Sequence, residues 1–97
     1  MNTLHIEHAI TDFGVWKAAF DQFAQMRRDA GVRRHRVAQP VGDDRYVLID
    51  LDFGTAAEAE KFVGFLQHNV WHTGNAPALV GRPQTRVLEL ADEHTES

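Results

Sequence analysis

The sequence predicts an α+β fold, a four-stranded antiparallel sheet with two helices on one face. Three observations carry that expectation. Apolar residues alternate at period two in the first ten residues and again over residues 45–53, as half-buried strands require. They recur at spacings of three and four from Phe13 to Phe23 and from Ala59 to Val70, as amphipathic helices require. The elements read strand–helix–strand–strand–helix–strand and fill nearly all of the 97 residues, which predicts one domain over 1–97 with an ordered core at about 3–90.

Taken in order, Leu4, Ile6, His8 and Ile10 alternate with Thr3, His5, Glu7 and Ala9 to give the first strand. Thr11 or Asp12 can cap the helix that follows. Phe13, Trp16, Phe20 and Phe23 form its apolar stripe, Arg27 extends the stripe, and Gly31 supplies a C-terminal stop. Residues 33–41 make a weaker strand ending near Pro40, and Val41-Gly42-Asp43-Asp44 supplies turn chemistry for a hairpin. In the strand over residues 45–53, Val47, Ile49, Leu51 and Phe53 share one face, with Tyr46, Leu48, Asp50 and Asp52 on the other. Thr55 and Glu58 form a capping box, and Ala59, Phe62, Val63, Leu66 and Val70 line a second helix. Residues 73–84, with Gly74, Pro77, Gly81 and Pro83, read as a loop long enough to act as a lid. Residues 85–90 read as the last strand, and the acidic residues 91–97 as a frayed tail. Right-handed crossovers interleave the two halves into the strand order 4-1-3-2, a ferredoxin-like arrangement.

Composition narrows the function classes. With 43% apolar and 25% charged residues the chain is ordinary for a globular protein. It has no cysteine, which excludes disulfides, thiolate metal sites and cysteine nucleophiles. A net charge of −4, with Arg33-Arg34-His35-Arg36 as the local basic cluster, argues against nucleic acid. No stretch approaches the roughly 20 apolar residues of a membrane span. The start Met1-Asn2-Thr3-Leu4-His5 lacks a signal-peptide pattern, so the expected location is cytoplasmic.

The predicted topology brings particular residues together. One end of the molecule gathers His8, Phe13, Trp16, the end of the second helix with His68, Trp71 and His72, then Arg86 and the loop at residues 73–84. The other end gathers His5, His35, Phe53 and the basic cluster. A small-molecule site needs an apolar body with a few placed polar groups, and the first end has the richer supply. His8, at an inward position, is the candidate base; the alternative is a core-edge histidine satisfied by a backbone carbonyl. Phe13, Trp16, Trp71, His72 and Arg86 are the candidate substrate-binding residues. Trp16 also fits simple packing, and Arg86 fits an outer charge on an edge strand. Trp71 projects opposite Phe62 on a continuous helix. Either the helix ends first and Trp71 folds inward, or the side chain meets the loop or a partner chain. His68 and His72 have the i, i+4 spacing of helical metal ligands but lack a third ligand, so no metal is expected. Asp50 and Asp52 suit solvated strand positions or dimer contacts better than a catalytic pair.

The segments Asp12-Phe13-Gly14-Val15-Trp16-Lys17-Ala18-Ala19-Phe20, Gly31-Val32-Arg33-Arg34-His35-Arg36-Val37 and Val47-Leu48-Ile49-Asp50-Leu51-Asp52-Phe53 followed by residues 56–62 carry a resemblance. In these the chain resembles the dimeric α/β-barrel superfamily, and within it the small proteins similar to antibiotic-biosynthesis monooxygenases and cyclases. The resemblance implies a homodimer with two sheets stacked face to face and, in each subunit, a pocket between sheet and helices. It implies a hydrophobic or aromatic small molecule as ligand and no cofactor, by a monooxygenase-like or cyclase-like activity. A non-catalytic sensor, or a structural dimer closed by Phe20, Phe23 and Phe62, are the rival expectations. The asparagine, tryptophan and histidine of haem-degrading relatives do not carry over, since Trp71 and His72 are adjacent and the first strand has no inward asparagine.

Overall fold

Strand β1 (Asn2–Ile10) is paired on both sides, and its burial alternates residue by residue because its inner face meets the helices. The computed structural model describes residues 1–71 and 78–96. Around β1 the sheet has the order β2-β3-β1-β4, with β2 at Arg34–Ala38, β3 at Tyr46–Phe53 and β4 at Leu79–Glu89, every pair antiparallel. This is the predicted order read from the other edge. Leu4, Ile6, Ile10, Val47, Ile49, Leu51 and Phe53 form the sheet side of the core, against Trp16, Ala59 and Phe62 from the helices. The short edge strand β2 exposes Arg34, His35 and Arg36, which blunts it against edge-to-edge pairing.

The first helix departs from expectation. Asp12 caps it by accepting from the Val15 N–H, but α1 (Phe13–Gln22) ends at Phe23, and a separate α2 (Ala24–Asp29) follows. At the break the Phe20 carbonyl accepts from the Phe23 N–H at 3.2 Å and from Arg27 Nη1 at 2.6 Å. A guanidinium there adds a second, charged donor to a carbonyl at the negative end of the α1 dipole. Beyond α2 the Val32 N–H bonds the Arg27 carbonyl and the Gly31 N–H bonds the Arg28 carbonyl, a Schellman stop. Gly31 takes the φ of +104° that this stop demands.

Helix α3 (Ala56–Leu66) begins with the expected Thr55–Glu58 capping box. It continues as a π-helical turn over Gln67–Trp71. The wider turn spreads the side chains over fewer degrees per residue, so Trp71 swings back toward the core instead of lying opposite Phe62.

The last strand is longer than predicted. β4 already begins at Leu79, so residues 79–84, read with Gly81 and Pro83 as part of a lid, are strand. Of the rest of that predicted loop, Ala78 is a buried turn residue whose carbonyl accepts from the Thr11 N–H, and residues 73–77 lie outside the described residues. The irregularity the sequence signals is instead a bulge. Glu7 faces Gln84 and Ala9 faces Val80, so Gly81, Arg82 and Pro83 stand across from the single residue His8. Gly81 has a φ of +73°, and Pro83, which has no N–H, is tolerated because the ladder is already interrupted. The register also turns Val87 to the helix-covered face, opposite Leu4, not to the outer face.

Candidate functional site

The inward alternation that buries Leu4 and Ile6 places His8 next on the same face, 5% exposed, at the bulge. Its Nδ1 lies 3.0 Å from the Ala9 carbonyl oxygen. A carbonyl can only accept, so Nδ1 carries the hydrogen, and in the neutral ring the lone pair sits on Nε2. Burial pushes the imidazole pKa below its ordinary 6.5, with the Ala9 carbonyl opposing in part, so the ring is neutral at pH 7. Among the described residues Nε2 makes no hydrogen bond, and no buried side-chain nitrogen or oxygen lacks one, so Nε2 is not sealed in.

From His8 a run of rings leads along the inner face of α1. Trp16 meets His8 edge-on at 6.2 Å between ring centres and stacks on Phe20 at 5.0 Å. Phe20 meets His35 at 5.2 Å, and the Arg27 guanidinium lies 3.6 Å above its ring. Between these rings and the sheet is a cavity of about 90 Å³. Its walls include Ile6, Ile49 and Leu51 from the sheet, Phe62, Leu66, Val70 and Trp71 from α3 and its π turn, and Phe23 and Met26 at the helix break. Phe20, Phe23 and Phe62 line this space without filling it. Besides His8, the charged group on the described wall is Arg27.

The structure thus brings His8, Trp16 and Trp71 to one cavity. Phe13 backs Trp16 at 5.9 Å between ring centres and does not line the cavity. Arg86 is elsewhere: it stands across from His5 on the outer face of the sheet, exposed. The sequence placed it at the His8 end of the sheet, but strand alternation sends it to the other side. His72 lies outside the described residues. No group of three potential metal ligands gathers among the described residues.

Arg27 is the residue that sequence reasoning passed over. Its signal was present, since an arginine continuing an apolar helical stripe must either snorkel out or find a buried partner. Here it is 6% exposed, held by the Phe20 carbonyl and ring. Burial lowers its pKa, and the nearby Asp21 charge opposes that shift.

The outer face holds a network of charges. Each ring nitrogen of His5 meets a carboxylate, Nδ1 with Asp50 at 2.7 Å and Nε2 with Glu7 at 2.8 Å. Two acceptors require two donors, so His5 is an imidazolium here. Burial would lower its pKa, but the bonds to Glu7 and Asp50 prevail and raise it. Tyr46 donates to Glu7 at 2.7 Å, and Asp52 accepts from Thr3 at 2.6 Å and Arg34 at 2.9 Å. Burial acts to raise the Asp52 pKa, yet these bonds hold it below the ordinary carboxylate range. Asp50 and Asp52 are therefore partners in this network, but Asp52, at 4% exposure, is not the solvated strand position that the sequence suggested, because Thr3 and Arg34 cover and pair it.

No family model matches the sequence, and no curated protein does. Solved structures do. The cofactor-independent oxygenase SnoaB from Streptomyces nogalater superposes with a TM-score of 0.75 at 14% identity, covering 98% of this chain and 97% of that one. A monooxygenase from the gene ActVA-Orf6 of Streptomyces coelicolor, in complex with Nanaomycin D, gives 0.67 at 10% identity, covering 99% and 92%. A dimeric ferredoxin-like protein from an uncultured marine organism gives 0.64 at 9% identity, covering 96% and 97%. Sequence order, strand register and these superpositions agree, and the chain has the ferredoxin-like fold.

Proposed function

We propose that the protein binds a hydrophobic or aromatic small molecule between sheet and helices and oxygenates it without a cofactor, with His8 as the base. The observation that carries this reading is the neutral His8 ring, its Nδ1 fixed and its Nε2 unsealed, on the wall of an otherwise largely apolar cavity. A base in a dry pocket can take a proton from an activated methylene and leave an electron-rich carbanion. The carbanion supplies the electrons that reduce oxygen. The balance is R₂CH₂ + O₂ → R₂C=O + H₂O, so no external reductant is needed. Trp16 and Trp71 would hold a flat substrate and keep water away from the anion.

Size limits the substrate as the cavity stands. At about 90 Å³ it is smaller than the roughly 150 Å³ engineered cavity that takes benzene. A ligand of one ring or more must widen it, and the helix break at Phe23 and the π turn carrying Trp71 are the places where the wall is not continuous α-helix. The test uses 2-indanone, whose methylene is activated by ring and carbonyl, under ¹⁸O₂. One labelled oxygen should enter the product with the wild type and not with His8→Gln. Equal labelling by both proteins, or none above the protein-free blank, contradicts the reading.

A further inference from the structure

The cavity wall holds a cation that the proposed oxygenation does not use. Arg27 has five N–H donors and spends one, from Nη1, on the Phe20 carbonyl. Among the described residues it has no carboxylate partner within ion-pair distance, and its remaining nitrogens make no hydrogen bond. They are not sealed in either, because no buried side-chain nitrogen lacks a partner among the described residues. The guanidinium is thus largely buried, anchored at one corner, and keeps accessible unused donors on a residue that lines the cavity. His8 and Arg27 are joined along one wall by the rings of Trp16 and Phe20, with contacts of 6.2, 5.0 and 3.6 Å.

From this we infer that the ligand is a planar aromatic bearing an anionic oxygen, a carboxylate or an ionised phenol or enol, received by Arg27 while the reacting position lies at His8. The inference rests on the proposal that this cavity takes a small molecule, and adds its substrate class. A guanidinium this buried, with no carboxylate within ion-pair distance, has lost most of its water, and an entering anion offers its free donors charge-assisted hydrogen bonds. A neutral ring of the same shape leaves the donors unpaired, so the site should discriminate by charge and not by size. The Phe20 carbonyl fixes the guanidinium before any ligand arrives, so little ordering remains to be done on binding.

Benzoate and benzamide, matched in shape, separate the claims. Binding is followed by calorimetry on the full chain at pH 8, where His8 carries no charge. Benzoate should bind at least about tenfold tighter than benzamide. In Arg27→Met, which keeps the apolar stem, the two should converge at the benzamide affinity, and in Arg27→Lys a reduced preference should persist. Benzamide binding as tightly as benzoate, or a preference that survives Arg27→Met, overturns the inference while leaving the cavity as a ligand site. Binding of neither compound overturns both. Should Arg27→Met fail to fold, the wild-type comparison and Arg27→Lys still decide.

Discussion

A single hydrogen bond sets the chemistry of His8. By fixing Nδ1 on the Ala9 carbonyl it leaves Nε2 as the basic atom, and burial keeps the ring neutral. His8 and His5 are three residues apart in sequence, on opposite faces of one strand, and their environments drive their pKa values apart. A titration of the imidazole ¹³Cε1 resonances should place His8 below the ordinary 6.5 and His5 above it. The stability consequences have opposite signs. Since the unfolded chain takes up His8's proton first, stability falls as pH drops below about 6.5 toward the folded His8 value, and His8→Gln should remove that loss. The His5 contribution is complete below about 6.5 and disappears as pH rises through its raised value. Trp16, 8% exposed and in contact with three rings, should cost about 3–5 kcal/mol when changed to Ala, measured by denaturant unfolding. A loss below about 1 kcal/mol would make it a ligand wall with no packing role.

At the scale of elements, the sequence was legible wherever a local signal decides the structure. Period-two alternation gave β1 and β3, and Asp12 and the Thr55–Glu58 box marked both helix starts. It was illegible where a tertiary partner overrides a local pattern. The apolar stripe through Phe23 and Arg27 is continuous in sequence, yet the Arg27 guanidinium competes for the Phe20 carbonyl and the helix divides there. A periodic stripe likewise carries no mark of the π turn that brings Trp71 inward. Gly81 and Pro83 read as loop because pairing with β1, a long-range event, is what makes them a bulged strand. Two glycine substitutions test this at equal space, since an added Cβ meets nothing within 4 Å at either position. Gly81→Ala should destabilise by about 1–2 kcal/mol, because its φ of +73° disfavours a side chain. Gly64→Ala, in a helix, should stabilise by about 0.4–1 kcal/mol. If the two give equal changes in thermal unfolding, the bulge is misplaced.

For the whole molecule, the sheet has one face under helices and one bearing Tyr46, Leu48 and Leu88 amid paired charges. Across that face Arg36, Asp50, His5 and Arg86 fall in one register row, alternating basic and acidic at its start. We propose that this face joins two copies, burying about 1,600 Å² in total or more; a neighbour of the same fold is itself described as dimeric. Sedimentation should give a species of twice 11.0 kDa at micromolar concentration, and Leu48→Asp should shift it toward the single chain. A wild-type protein sedimenting only as the single chain would remove the dimer. Among the described residues no helix is long and apolar enough to cross a membrane.

The space between His8, Trp16 and Trp71 is the proposed small-molecule site. Native mass spectrometry of the protein purified from its own host tests it most directly. The expected spectrum shows a non-covalent adduct that is released on activation and absent from Ala19→Trp, a substitution that fills the cavity from its α1 wall. A bare protein mass in the wild type, or an adduct that Ala19→Trp retains undiminished, would contradict it.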